Sequence, residues 1–107
     1  MSGEPEIAIP VDRTAIEAFG RKWGIRELAL FGSVVGGDFR PDSDVDVLVT
    51  FEDPNRSLGS WGNVLSEMER ELERIFGRRV DLVQKRSIKN PFRRHSILTS
   101  RRIIYAA

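Results

Sequence analysis

Residues 44–51, Asp-Val-Asp-Val-Leu-Val-Thr-Phe, constrain this chain more than any other stretch. Their β-branched and apolar residues predict a strand over 45–51. On a strand, residues i and i+2 share a face, so Asp44 and Asp46 point one way and Val45, Val47 and Val49 point into a core. Two like charges side by side repel each other. They are tolerated when solvated, or when a divalent cation sits between them. Upstream, Ile25–Phe31 reads as a short strand that Gly32-Ser33 breaks. The Gly-, Asp- and Pro-rich stretch 33–43 reads as a loop or a short turn of helix. So direct a link between the two strands suits an antiparallel pair.

The rest of the chain alternates helix and strand. Asp12 is positioned to cap a helix over 13–23, with Ile16, Phe19 and Trp23 on one stripe and Gly24 as its stop. Ser57 is positioned to cap a second helix reaching Phe76, whose stripe is Leu58, Trp61, Leu65, Met68, Leu72 and Ile75. Residues 79–84 read as a third strand, which the long helix allows to cross over and pair in parallel. Asn90-Pro91 opens a short basic helix to about Ser100, and 102–105 reads as a last strand. The expected class is α/β (α+β): a short mixed sheet of about four strands flanked by three to four helices. Pro5 and Pro10 mark residues 1–10 as a leader, leaving 11–107 as a single domain. No apolar run approaches the roughly 18–20 residues that span a bilayer. The acidic, polar start does not read as a secretory signal, so a cytoplasmic protein without membrane attachment is expected.

Composition narrows the chemistry. The 107 residues contain no Cys and one His, His95. That excludes a thiol nucleophile, a disulfide framework and a Cys- or multi-His metal site built by one chain. Any metal must be a hard cation held by carboxylates. Asp81 repeats the pattern of Asp44 and Asp46: Val80 and Leu82 go one way and Asp81 the other. If the third strand lies beside the second, three carboxylates converge. Oxygen-only ligands suit Mg²⁺, which also takes substrate phosphates into its shell. Gly32-Ser33, at a strand end, allows close approach of backbone to a phosphate and adds a hydroxyl donor. A phosphate grip at one end and a two-metal carboxylate set at the other suit phosphoryl or nucleotidyl transfer.

The set Gly32-Ser33, Asp44-x-Asp46 and Asp81 resembles the nucleotidyltransferase fold of the DNA polymerase β superfamily. More closely, Leu30-Phe31-Gly32-Ser33, Gly37 and Pro41-Asp42-Ser43-Asp44-Val45-Asp46-Val47-Leu48-Val49 resemble the minimal nucleotidyltransferases, over nearly the whole chain. The resemblance implies ATP as substrate, two Mg²⁺ ions, and transfer of a nucleoside monophosphate to a hydroxyl. It also implies a partner, a HEPN-domain toxin that the transferase silences as antitoxin by adenylylating a tyrosine. Asp44 and Asp46 would hold the metals. Asp81 would complete the second metal site and help deprotonate the attacking hydroxyl. Gly32 and Ser33 would grip the β- and γ-phosphates. Ser43, counted with the nucleotide-binding set, and Gly37 match as structural positions.

One departure bears on activity. Many family members read Gly-Ser-Arg-Ala-Arg-Gly where this chain reads Gly32-Ser33-Val34-Val35-Gly36-Gly37, so Val34 and Gly36 replace two arginines. Arg40 is the nearby basic residue in sequence. The alternative reading is therefore an antitoxin that neutralises its partner by binding alone. So short a chain has little left to hold an acceptor, which points to a second protein or an oligomer, homo- or hetero-. Charge is split: 1–69 carries 6 Lys/Arg and 13 Asp/Glu, 70–107 carries 11 and 3. The basic stretch, with Lys85, Arg86, Lys89, Arg93, Arg94, Arg101 and Arg102, can grip nucleic-acid phosphates. It lacks interleaved aromatics beyond Phe92, so a solvated face or a partner surface is the favoured reading. Trp23, Trp61 and Tyr105 are read as packing residues and His95 as an exposed helix residue.

Overall fold

Asp12 sets the first element: its side chain accepts from the Ala15 N–H at 3.1 Å and launches α1 (Arg13–Trp23), which Gly24 ends in the left-handed conformation. The computed structural model describes residues 9–36, 40, 42–53 and 62–107. After α1 come β1 (Ile25–Phe31), the short α2 (Ser33–Gly36), β2 (Val45–Phe51), α3 (Gly62–Phe76), β3 (Val80–Gln84), a 3₁₀ turn (Lys85–Ser87), α4 (Pro91–Ser100) and β4 (Arg102–Ala106). Asn90 caps α4, its side chain accepting from the Phe92 and Arg93 N–H groups. The expected cap Ser57, its neighbour Leu58, Trp61, Gly37 and leader residues 1–8 lie outside the described residues.

The four strands form one sheet in the order β3-β2-β1-β4. β1 is antiparallel to both β2 and β4, while β2 and β3 run parallel across the α3 crossover. This is the mixed sheet with helices expected of the sequence. Period two then sorts the side chains. Leu28, Leu30, Val45, Val47, Val49, Val80 and Ile104 face α1 and α3, where Ile16, Phe19, Met68 and Leu72 meet them in the main core. Full burial of such side chains stabilises by about 1.5–3 kcal/mol each. Ala29, Phe31 and Leu48 face the other way and pack with Ile88 and Ile97 under α4.

Two polar devices close the α3 side. Trp23, half-buried rather than enclosed, packs against the core with its ring 6.4 Å from Phe19 and donates its indole N–H to Glu71 of α3 at 3.2 Å. β3 is an edge strand whose outward N–H groups lack a strand partner. Glu73 accepts from the Val80 N–H at 3.1 Å, and Glu69, one helical turn earlier, accepts from Leu82. The i, i+4 spacing on the helix matches the i, i+2 spacing on the strand. Burial, and then the nearby Asp81 charge, push the Glu69 carboxyl above its ordinary value.

Candidate active site

Asp46 lies where three strands meet. Its Cα is in register with Phe31 of β1 on one side and with Asp81 of β3 on the other. Neighbouring strands are about 4.8 Å apart, so the parallel pairing of β2 and β3 places the Asp46 and Asp81 side chains next to each other on the α4 side of the sheet. The sequence supplied the two carboxylates; the crossover through α3 made them neighbours.

The end of β1 is shaped around that carboxylate. Gly32 follows Phe31 with φ +76°. A Cβ built on Gly32 would lie 2.3 Å from Asp46 Oδ2. Glycine is thus required twice, for the left-handed backbone and for the room its missing side chain leaves. Ser33 opens α2 directly beyond it, and the Val35 N–H closes the turn onto the Gly32 carbonyl at 3.1 Å. Gly32 therefore stands at the carboxylate, with Ser33 next in the chain.

Asp46 titrates above its ordinary value of 3.8. Burial contributes most, followed by the charges of Asp81 and Asp44, with Arg93 opposing them. Asp44 sits just before β2, half exposed, 3.5 Å from the Arg79 guanidinium. It acts on Asp46 electrostatically, yet its own contact is with Arg79. Among the described residues no three His, Cys, Asp or Glu side chains are arranged to hold one ion together. The Asp46–Asp81 pair is assembled and Asp44 stands at its margin. Ser43 is engaged in a turn: its hydroxyl accepts from the Arg40 N–H at 3.1 Å and its own N–H donates to the Arg40 carbonyl at 3.0 Å. The donor set fits Mg²⁺ by its chemistry, since all ligands are carboxylate oxygens and their mutual repulsion is what a divalent cation offsets.

A cleft of about 660 Å³ runs from Gly32 and Val35 along α4, past Arg93, Ser96, Thr99 and Ser100. Its floor at the β1 end is next to Asp46. Arg93 thus lines the cleft beside the candidate site, whereas reading the sequence placed it only among the basic residues of the C-terminal stretch. The available signal was the lack of a cation in residues 34–36 after Ser33. Val34, at one of the replaced arginine positions, is 1% exposed and belongs to the main core. In this chain that position serves packing.

The nucleotidyltransferase domain family matches residues 12–104. The protein adenylyltransferase MntA of Thermococcus cleftensis is 45% identical over 69 residues, covering 64% of this chain and 65% of that protein. The chain thus spans just under two thirds of that relative's length. A solved structure of an inferred minimal nucleotidyltransferase shares 32% identity and a TM-score of 0.66, over 84% of this chain and 86% of that one. A structure of a tri-AMPylated Shewanella oneidensis HEPN toxin with its MNT antitoxin shares the fold, with a TM-score of 0.57 at 22% identity over 89% of this chain and 70% of that one. With the Gly32 turn, the Asp46–Asp81 pair and the four-stranded mixed sheet all in place, this chain belongs to the nucleotidyltransferase domain family.

Proposed function

We propose that this protein is an antitoxin that transfers AMP from ATP to a tyrosine hydroxyl of a HEPN-domain toxin, in the cytoplasm and with Mg²⁺. The observation that carries the reading is the juxtaposition of Asp46, Asp81 and the Gly32 turn at one end of the α4 face. Residues 11–107 act as one domain, to whose main core Ile9, inside the expected leader, also contributes. Its relatives include a protein adenylyltransferase, and the MNT antitoxin of similar fold is bound to an AMPylated HEPN toxin.

The acceptor oxygen bonds to the α-phosphorus, the bond from that phosphorus to the bridging oxygen breaks, and pyrophosphate leaves with the electron pair. Asp44, Asp46 and Asp81 would hold Mg²⁺, which when bound neutralises phosphate charge. Gly32 and Ser33 would place the β- and γ-phosphates, since a backbone without a side chain can approach them closely. Ser43 supports that end by holding its turn. Asp81, the more exposed of the paired carboxylates, would take the acceptor's proton. Nothing in residues 33–36 supplies a cation, which favours a second reading: neutralisation of the toxin by binding alone.

Incubation with α-labelled ATP, Mg²⁺ and the toxin separates the two. Label on the toxin, absent with γ-labelled ATP and reduced at least ~100-fold by the Asp44→Asn/Asp46→Asn double substitution, is the expected result. An unlabelled toxin that both forms still neutralise would establish binding alone.

A further inference from the structure

Every phosphoryl-transfer site must meet the charge that gathers on its leaving group. Residues 33–36 of this chain, Ser-Val-Val-Gly, carry no cation, and Val34 and Val35 are turned into the main core. The opposite wall of the same cleft is α4, and it carries arginines.

Three arginines line that wall or its end, and two are already engaged. Arg101 is ion-paired to Glu27 at 2.8 Å and also bonds the Leu98 carbonyl. Arg102 has other interactions of its own. Arg94, next in sequence to Arg93, donates to the Lys85 carbonyl at 3.4 Å and lines a different cleft, at the far end of β2. Arg93 is exposed, and among the described residues its guanidinium makes no hydrogen bond or ion pair. It is held on a rigid platform, because the Asn90 cap takes the Arg93 backbone N–H at 3.1 Å and fixes the first turn of α4. From there it reaches Asp46 electrostatically. A planar guanidinium presents paired donors that match phosphate oxygens.

We propose that Arg93 contacts the β- and γ-phosphates of ATP and stabilises the departing pyrophosphate, taking the place of the arginines that the loop after Ser33 lacks. This rests on the adenylyltransferase reading. As the α-phosphorus bond to the bridging oxygen breaks, that oxygen gains negative charge, and Arg93 offsets it without accepting or donating a proton.

The test compares the wild-type chain with Arg93→Met, Arg93→Lys and the double variant Arg93→Met/Gly36→Arg. Titration calorimetry with Mg·ATP and, separately, with AMP gives binding; label transfer to the toxin gives the rate. Arg93→Met is expected to weaken ATP about 10-fold, to leave AMP unchanged, and to slow transfer by ~100-fold. Lysine should recover part of both, and Gly36→Arg should restore rate by returning a cation to the loop. A wild-type chain that binds ATP and transfers AMP, matched by Arg93→Met in both, would overturn the assignment and leave the adenylyltransferase reading standing. Equal losses for ATP and AMP would also overturn it, because the effect would then not lie at the outer phosphates. A wild-type chain that neither binds ATP nor transfers label would remove both readings together.

Discussion

The two faces of the sheet are built from the same four strands and are covered very differently. Among the described residues, the face under α1 and α3 contributes to a cluster of fifteen buried apolar residues, and the face under α4 to one of five. The carboxylates stand on the second. On the first face Asp46 would be enclosed by Met68, Leu72 and Phe19, where an ionised carboxylate is costly to desolvate. On the second, α4 covers the middle of the sheet and leaves its end open as a cleft. Asp46 is there only half-buried, and that burial, with the charges of Asp81 and Asp44, raises its pKa. The thick face supplies stability; the thin face supplies a partly dry place for charge.

This contrast can be broken in order of effect. Leu72→Ala on the thick face should destabilise by about 2–5 kcal/mol, read from the urea midpoint, because α3 cannot settle into the void. Ile97→Ala beneath α4 should cost about 2 kcal/mol, at the low end of that range, because one short helix can settle against the sheet. Equal losses would mean that the second face is as rigidly packed as the first. Gly32→Ala should cost about 1–2 kcal/mol for the left-handed backbone and should reduce AMP transfer further, since the new methyl displaces Asp46. Unchanged transfer by folded Gly32→Ala would remove the Asp46–Gly32 contact from the site.

The smallest effect is the most diagnostic. The folded-state pKa of Asp46 is raised above 3.8, so the native form holds this proton more tightly than the unfolded chain. Its contribution to stability is fully present below about 3.8, the unfolded value, and is lost as pH rises through the folded value. Above that value the group is a net cost to the fold. In Mg²⁺-free buffer Asp46→Asn should therefore raise Tm slightly at pH 7, and the gain should fade as pH falls through the carboxylate range. A lower Tm at pH 7 would mean that ionised Asp46 stabilises the fold, contrary to the repulsion from Asp81 and Asp44.

Much of the molecule was legible one residue at a time. Asp12, Gly24 and Asn90 announced helix ends because caps are local hydrogen bonds or local backbone conformations. The alternation around Asp46 announced its strand and its face because the side-chain period of a strand is two. Glu69 and Glu73 escaped notice because their partners are backbone N–H groups of an edge strand, which no side-chain pattern marks. Ser43 matched the family pattern, yet what its hydroxyl does in the structure is to hold a turn with Arg40.

The sequence by itself determined the elements, the carboxylates and the glycine step, since each rests on interactions within a few residues. Tertiary structure alone decided that Asp81 stands beside Asp46, that Asp44 turns toward Arg79, and that Arg93 enters the cleft. Those outcomes depend on strand order and on where α4 docks, which are set by burying two faces of one sheet at once.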